Sequence, residues 1–77
     1  MENNINMQKA KLVATNLKAL RISHGLSQQQ LSQAVNISQQ NISRWELGIH
    51  IPNIIDCITI ADYYHISLDE LADRDLN

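Results

Sequence analysis

Residues 26–48 read LSQQQLSQAVNISQQNISRWELG, and this stretch predicts two short helices joined by a tight turn. Ser27, followed three residues later by Gln30, forms a capping box, so a helix of about eight residues should begin directly after Ser27. Asn36 tolerates the left-handed conformation that a tight turn needs, and Ser38 can cap the second helix. Two short helices joined in this way form a helix-turn-helix.

Three further helices are predicted around this unit, which makes the fold all-α with five helices. Apolar residues at helical spacing predict a first helix from about Met7, ended by Gly25. Asn53 can cap a fourth helix, and a second capping box, Ser67 with Glu70, opens a short fifth helix. No stretch alternates with the period of two that strands require. The residues expected to face the core are Leu12, Val13, Leu17, Leu20, His24, Leu31, Val35, Ile37, Ile42, Trp45, Ile54, Cys57, Ile58, Ala61, Tyr64, Leu68 and Leu71.

With 77 residues, the chain forms one small domain and leaves little room for a catalytic cleft. We expect a flexible tail at residues 1–8, a helix-turn-helix domain at 9–73 and a second tail at 74–77. The single cysteine excludes an intramolecular disulfide, and the three histidines lack the spacing of zinc ligands. No apolar run approaches the roughly 20 residues that span a bilayer. These features predict a soluble cytoplasmic protein with no membrane partner, metal or small-molecule cofactor.

Charge is divided unevenly along the chain. Met1–Arg44 holds five Lys or Arg and one acid, whereas Trp45–Asn77 holds one Arg and seven acids. This division indicates either a nucleic-acid face opposite an acidic back, or the ordinary solvation of different helices. No nucleophile, base and acid come together in the sequence, so an enzyme is not expected.

The quoted stretch, together with Pro52 and the sequence ISLDEL at 66–71, resembles the Cro/C1-type (Xre-like) helix-turn-helix repressors. Their DNA-binding domain is a lambda-repressor-like bundle of five helices. The resemblance covers about Leu17–Leu71, although relatives more often carry Ala at the position of Ser32 and Gly at that of Asn36. It implies that the third helix enters the major groove of double-stranded DNA, and that a homodimer binds a pseudo-palindromic operator.

That docking implies that the start and outer face of the third helix read the bases. A glutamine amide carries one donor and one acceptor and can pair with N6 and N7 of adenine, so Gln39 and Gln40 are the principal candidates. Arg44 can bind guanine or a phosphate. The alternative is that these side chains only solvate the helix. The predicted base-reading residues are Ser38, Gln39, Gln40, Ser43 and Arg44.

Phosphate contacts are predicted at the start of the second helix and around the third. Gln28 resembles the glutamine with which relatives hold a phosphate. The loop after the third helix lacks the Lys or Arg common there in relatives, which leaves a histidine and an asparagine. Lys9, Lys11 and Lys18 either add positive potential or are ordinary solvated residues. The predicted phosphate-binding residues are Gln28, Gln29, Asn41, His50 and Asn53.

Two structural features complete the prediction. An Arg late in the first helix and the Glu that follows the aromatic residue of the third often form an ion pair in the family, which implies a structural pair of Arg21 and Glu46. Apolar residues that lie off the core stripes indicate either a dimer interface or scattered surface apolarity. The interface candidates are Ile49, Ile51 and Ile55, with Leu76 beside them.

The function predicted is that of a sequence-specific transcriptional repressor, bacterial or phage-encoded and associated with the nucleoid. The alternative is an antitoxin or antirepressor, in which the same fold binds another protein and the acidic C-terminal half offers the surface.

Overall fold

The computed structural model of the protein describes residues 4–72, with side chains from residue 7 onward. Over this range the chain is all-α and contains no strand, as predicted. The five helices are α1 (Asn4–Ser23), α2 (Gln28–Val35), α3 (Gln39–Glu46), α4 (Ile54–Tyr64) and α5 (Leu68–Leu71).

Helix α1 begins earlier than its apolar pattern predicts. It starts at Asn4 rather than near Met7, so part of the segment expected to be a tail is helical. The Asn-rich sequence before Met7 carries no repeated apolar spacing, so the pattern does not reveal this first turn. The C-terminal tail predicted at 74–77, with Leu76, lies outside the described residues.

Side-chain caps define the starts of α2 to α5, as predicted. The Ser27 hydroxyl accepts a hydrogen bond from the Gln30 backbone N–H at 3.0 Å, and the Gln30 side chain accepts one from the Ser27 N–H at 2.8 Å. Each bond satisfies a donor that would otherwise lack a partner at the start of the helix. The remaining caps are Ser67 with Glu70, Ser38 and Asn53.

The turn between α2 and α3 adopts its predicted conformation. Asn36 has φ 57° and lies in the left-handed region. The Ser32 hydroxyl donates to the carbonyl of Ile37 and so ties the end of α2 to the residue after the turn. His65 ends α4 in the same left-handed conformation, with φ 58°, at a position that no Gly or Asn marks in the sequence.

The core lies between the helix-turn-helix and the inner faces of α1, α4 and α5. Ile42 of α3 and Ile60 of α4 are its most completely buried large side chains. Trp45 is 5% exposed, so it belongs to the core, as expected. The buried cluster consists of Leu17, Leu31, Val35, Ile42, Trp45, Ile60, Ala61, Tyr64 and Leu71.

The predicted inward face of α4 is correct for Cys57, Ala61 and Tyr64 but wrong for its two isoleucines. Ile54 and Ile58, expected in the core, are 61% and 41% exposed, whereas Ile60 is 1% exposed. Apolar residues occur on most sides of α4, so helical spacing alone fits more than one inward face. Packing selects the face that carries Ile60, Ala61 and Tyr64.

Three other residues expected in the core are exposed. Leu12 and Leu68 are 51% and 40% exposed, and His24 lies on the surface with its ring centroid 4.5 Å from that of Tyr64. Ala14, which the apolar stripe of α1 omits, is buried instead. The small side chain of Ala14 carries too weak a hydrophobic signal to mark the inward face.

Asn16 of α1 forms two hydrogen bonds to the backbone of α5. Its side-chain amide donates to the carbonyl oxygens of Glu70 at 2.8 Å and Leu71 at 2.6 Å. Carbonyls at a helix end have no partner within the helix, so Asn16 acts as a cap supplied by a distant part of the chain.

The Tyr64 hydroxyl is buried, and it has no hydrogen-bond partner among the described residues. Burial raises the pKa of Tyr64 to about 12, and the nearby Tyr63 and Glu46 add to this effect. A phenol in the unfolded chain ionises near pH 10. The folded state therefore loses stability as the pH rises from about 10 towards 12, because only the unfolded chain releases this proton readily.

We expect Tyr64→Phe to change the free energy of unfolding by less than about 1 kcal/mol at pH 7, since the hydroxyl has no bond to lose. Above about pH 10 the variant should lose less stability than the wild type. Urea unfolding at pH 7 and pH 11 measures both effects, with Tyr63→Phe, at a more exposed neighbour, as the control. A loss above about 2 kcal/mol at pH 7 would contradict this interpretation.

Candidate nucleic-acid interface

Packing of α3 against the core fixes which of its side chains face outward. Ile42 and Trp45 are 2% and 5% exposed and hold one side of the helix inward. The opposite side presents Gln39, Gln40 and Asn41, which are exposed, and Ser43 and Arg44, which are partly buried.

Helix α2 and helix α3 together form an open polar depression. Its lining combines four predicted base readers of α3 with the glutamine that begins α2, so two groups predicted separately meet at one surface. Amides, a hydroxyl and a guanidinium supply both donors and acceptors there. The lining residues are Gln28, Gln39, Gln40, Ser43 and Arg44.

Ser38 is the predicted base reader that does not line this depression. Its hydroxyl oxygen accepts the backbone N–H of Asn41 at 3.1 Å and so caps α3. The hydroxyl hydrogen is a further donor. Ser38 thus combines a structural role with its position at the exposed start of the helix.

The predicted phosphate-binding residues are exposed except Gln28, which is partly buried. Asn53 uses its side-chain oxygen to accept the Asp56 N–H at 2.8 Å, which leaves its NH₂ group as a donor. His50 and Asn53 belong to the α3–α4 connection and are not among the residues that line the depression. The exposed Lys9, Lys11 and Lys18 lie along α1.

Arg21 and Glu46 form a two-pronged ion pair between α1 and α3. Arg21 Nε donates to Glu46 Oε2 at 2.8 Å, and Nη2 donates to Oε1 at 2.9 Å. The side chains are only 12% and 4% exposed. The hydrogen bond to Glu46 raises the pKa of Arg21, so the guanidinium stays charged. Arg21 Nη1 also donates to the Leu26 carbonyl at 2.8 Å, which holds the connection before α2.

Gln28 also forms a hydrogen bond to this ion pair, which the sequence did not predict. Its Nε2 donates to Glu46 Oε1 at 3.1 Å. The two residues are 18 positions apart and share no motif, so only the packing of α2 against α3 reveals the contact.

The isoleucines predicted at an interface are on the surface. Ile49, Ile51 and Ile55 are 64%, 65% and 66% exposed. Ile54 and Ile58, both more exposed than expected, extend this apolar surface along α4. Beside it runs an apolar groove between α1, α4 and α5, whose lining includes Ile51, Ile54, Val13, Leu68 and Leu71.

The described residues contain no cluster of three or more potential metal ligands. Likewise, none of the helices in residues 4–72 has the length and apolar character needed to cross a membrane. Cys57 is a free, partly buried thiol, and burial raises its pKa. It packs against the core, as expected from the sequence.

Comparison with known proteins gives two matches. The sequence model of the family described as Helix-turn-helix matches residues 17–71. The HTH-type transcriptional activator BcrR of Enterococcus faecalis is 34% identical over 55 residues, which cover 71% of this chain and 27% of that protein. The matched region therefore spans about a quarter of that relative. No solved structure matches the chain at a significant level.

Proposed function

Because the chain belongs to the helix-turn-helix family of Cro/C1-type, Xre-like transcription regulators, we propose that it binds a specific double-stranded DNA site and represses transcription there. The family consists of DNA-binding regulators rather than enzymes, in agreement with the prediction that the chain is not an enzyme. The observation that carries the proposal is the polar depression formed by α2 and α3.

Base reading is assigned to the outward side of α3. In our proposal α3 lies in the major groove, where Gln39 and Gln40 each pair a donor and an acceptor with an adenine. Arg44 binds guanine or a phosphate, and Ser38 and Ser43 bind at the edges of the same surface. The rigid packing of Ile42 and Trp45 supports this assignment, since a reading helix must hold its side chains in register.

Phosphate binding is assigned to residues on both sides of that helix. Gln28 and Gln29 begin α2, and Asn41, His50 and Asn53 are exposed along α3 and the connection that follows. These contacts place the protein on the duplex without reading its sequence. None of these five is a Lys or Arg, so Arg44 and the α1 lysines carry most of the positive charge available for phosphate neutralisation.

We propose further that the protein acts on DNA as a two-fold dimer. A single recognition helix reads few base pairs, and two half-sites about 34–36 Å apart would supply the missing selectivity. The exposed isoleucines of the α3–α4 connection and α4 support an interface there, since contiguous exposed apolar residues mark contact sites. Ile49, Ile51 and Ile55 form its centre in this proposal.

Activation is the second candidate outcome, because the similar protein from E. faecalis is called an activator. A reporter gene distinguishes the two outcomes, with the binding site placed either across the promoter or upstream of it. We expect reduced expression from a bacterial promoter that overlaps the site. An antitoxin or antirepressor would bind its protein partner instead and leave both reporters unchanged.

The first test is the salt dependence of binding. If only Arg44 of each subunit neutralised a phosphate, release of two counterions would reduce affinity about tenfold between roughly 50 and 200 mM salt. Fluorescence anisotropy with DNA selected from a random pool measures this slope, and Arg44→Ala should flatten it. Affinity that stays level over this range would contradict DNA binding through this face.

The second test separates base reading from phosphate binding. Gln40→Ala should reduce discrimination at one adenine of each half-site by roughly 1–3 kcal/mol, whereas Gln28→Ala should weaken binding to all sequences alike. Gln33→Ala serves as the control, since Gln33 is exposed on α2 but does not line the depression. Affinities for a panel of DNA sites that differ by single base pairs measure both effects. Equal losses for specific and non-specific DNA in both variants would show that these roles are wrongly assigned.

A further inference from the structure

The Glu46 carboxylate accepts hydrogen bonds from two different side chains. Arg21 donates twice, at 2.8 and 2.9 Å, and Gln28 donates once, at 3.1 Å. The Glu46 side chain is 4% exposed, so water contributes little to satisfying this carboxylate. Glu46 therefore connects the ion pair inside the bundle to a side chain that lines the outer depression.

This contact fixes the orientation of the Gln28 amide. An ionised carboxylate can only accept hydrogen bonds, so the nitrogen of the amide, rather than its oxygen, must face Glu46. One N–H of Gln28 is used in this way. The second N–H and Oε1 of this amide form no hydrogen bond with any other described residue, and Gln28 itself is partly exposed.

The negative charge of Glu46 does not repel an anion bound beside Gln28, because Arg21 neutralises that charge at hydrogen-bond distance. The two-pronged geometry of that pair also holds the carboxylate in one place. A glutamine that is held before binding loses less side-chain freedom when a ligand arrives. Glu46 thus has the position and the chemistry to prepare Gln28 for an anionic partner.

On the basis of the DNA binding proposed above, we propose that Glu46 is a positioning residue for phosphate contact. It holds one N–H of Gln28 so that the second N–H of the same amide donates to the DNA backbone. Through this bond, phosphate binding by α2 depends on a residue at the end of α3, the helix that carries the base readers.

A double-mutant cycle with Gln28→Ala and Glu46→Asp tests the coupling. The shorter Asp keeps the charge next to Arg21 but draws the carboxylate away from Gln28. We expect Gln28→Ala to weaken DNA binding about tenfold when Glu46 is present. The same substitution should have an effect below about twofold in the Glu46→Asp background. Gln29→Ala, at the exposed neighbour, should have the same effect in both backgrounds.

A further readout separates this role from a loss of folding. Hydrogen exchange of side-chain amides, followed by NMR in the free wild-type protein, should be several-fold slower for Gln28 than for Gln29. Because Gln28 is uncharged, Gln28→Ala should also leave the salt dependence of binding unchanged. Equally fast exchange of the two amides would overturn the positioning role without any variant at Glu46.

The outcomes also distinguish this role from the proposed function. If the wild-type protein binds DNA and Gln28→Ala has the same effect in both Glu46 backgrounds, the positioning role is overturned and DNA binding stands. If the wild-type protein binds no DNA from a random pool, the proposed function is overturned, and the role of Glu46 in phosphate contact is overturned with it.

Discussion

Arg21→Met should lower the free energy of unfolding by about 3–5 kcal/mol. The substitution leaves the Glu46 carboxylate, 4% exposed, with the single N–H of Gln28 in place of three donors. A buried charge without its partner is among the most destabilising defects in a small domain. Domains of this size have a total stability of roughly 5–15 kcal/mol, so a large fraction of the variant should unfold on mild heating.

Urea and thermal unfolding followed by circular dichroism measure this loss. Lys18→Met is the matched control, because Lys18 is an exposed cation on the same helix. It should change stability by less than about 0.5 kcal/mol. If Arg21→Met cost under about 1 kcal/mol, the ion pair would behave like a solvated surface pair despite its burial.

Ile51→Lys combined with Ile55→Lys should abolish cooperative binding to a full operator while the monomer stays folded. Both side chains are about two-thirds exposed, at 65% and 66%, so the core loses little. In the proposed dimer the new charges would face each other across the two-fold axis and repel. Loss of the second subunit should weaken binding to paired half-sites roughly 100-fold.

Sedimentation reports the oligomeric state, and gel-shift assays with one or two half-sites report cooperativity. Ile22→Lys is the control, because Ile22 is an isoleucine on α1 that is 57% exposed. It should leave cooperative binding intact. A double variant that still binds two half-sites cooperatively would place the dimer contact on another surface. A double variant that unfolds would show that these isoleucines support the core.

The sequence predicts the helix-turn-helix well because its boundaries are encoded locally. Ser27, Gln30 and Ser38 form hydrogen bonds with residues three positions away, and Asn36 takes its conformation from its own backbone preference. Signals of this kind need no knowledge of the tertiary structure. The bounds of α2 and α3 therefore agree closely with the prediction.

Helix α4 and the ends of the bundle are harder to predict, for a physical reason. Where isoleucines surround a helix, periodicity cannot select one inward face, and neighbouring helices decide that Ile60 rather than Ile54 is buried. Asn16 and its carbonyl partners in α5 are 54 and 55 residues apart. No local sequence pattern predicts such a contact.

The candidate interface also has a part that the sequence predicts and a part that it does not. The outward residues of α3 follow from the helical spacing of Ile42 and Trp45, so the sequence identifies most of the depression. The pairing of Arg21 with Glu46 is suggested only by resemblance to relatives. The bond from Gln28 to Glu46 requires the relative placement of α2 and α3, which the residues in isolation do not specify.

The Asn16 bonds make α1 and α5 one cooperative unit. Four residues are too few for a helix to persist on its own, so α5 depends on its capping box, on the Asn16 amide and on the burial of Leu71. Local opening of α1 near Asn16 therefore releases α5 as well. Because Arg21 of the same helix binds Glu46 of α3, an opening that extends along α1 also loosens the helix-turn-helix.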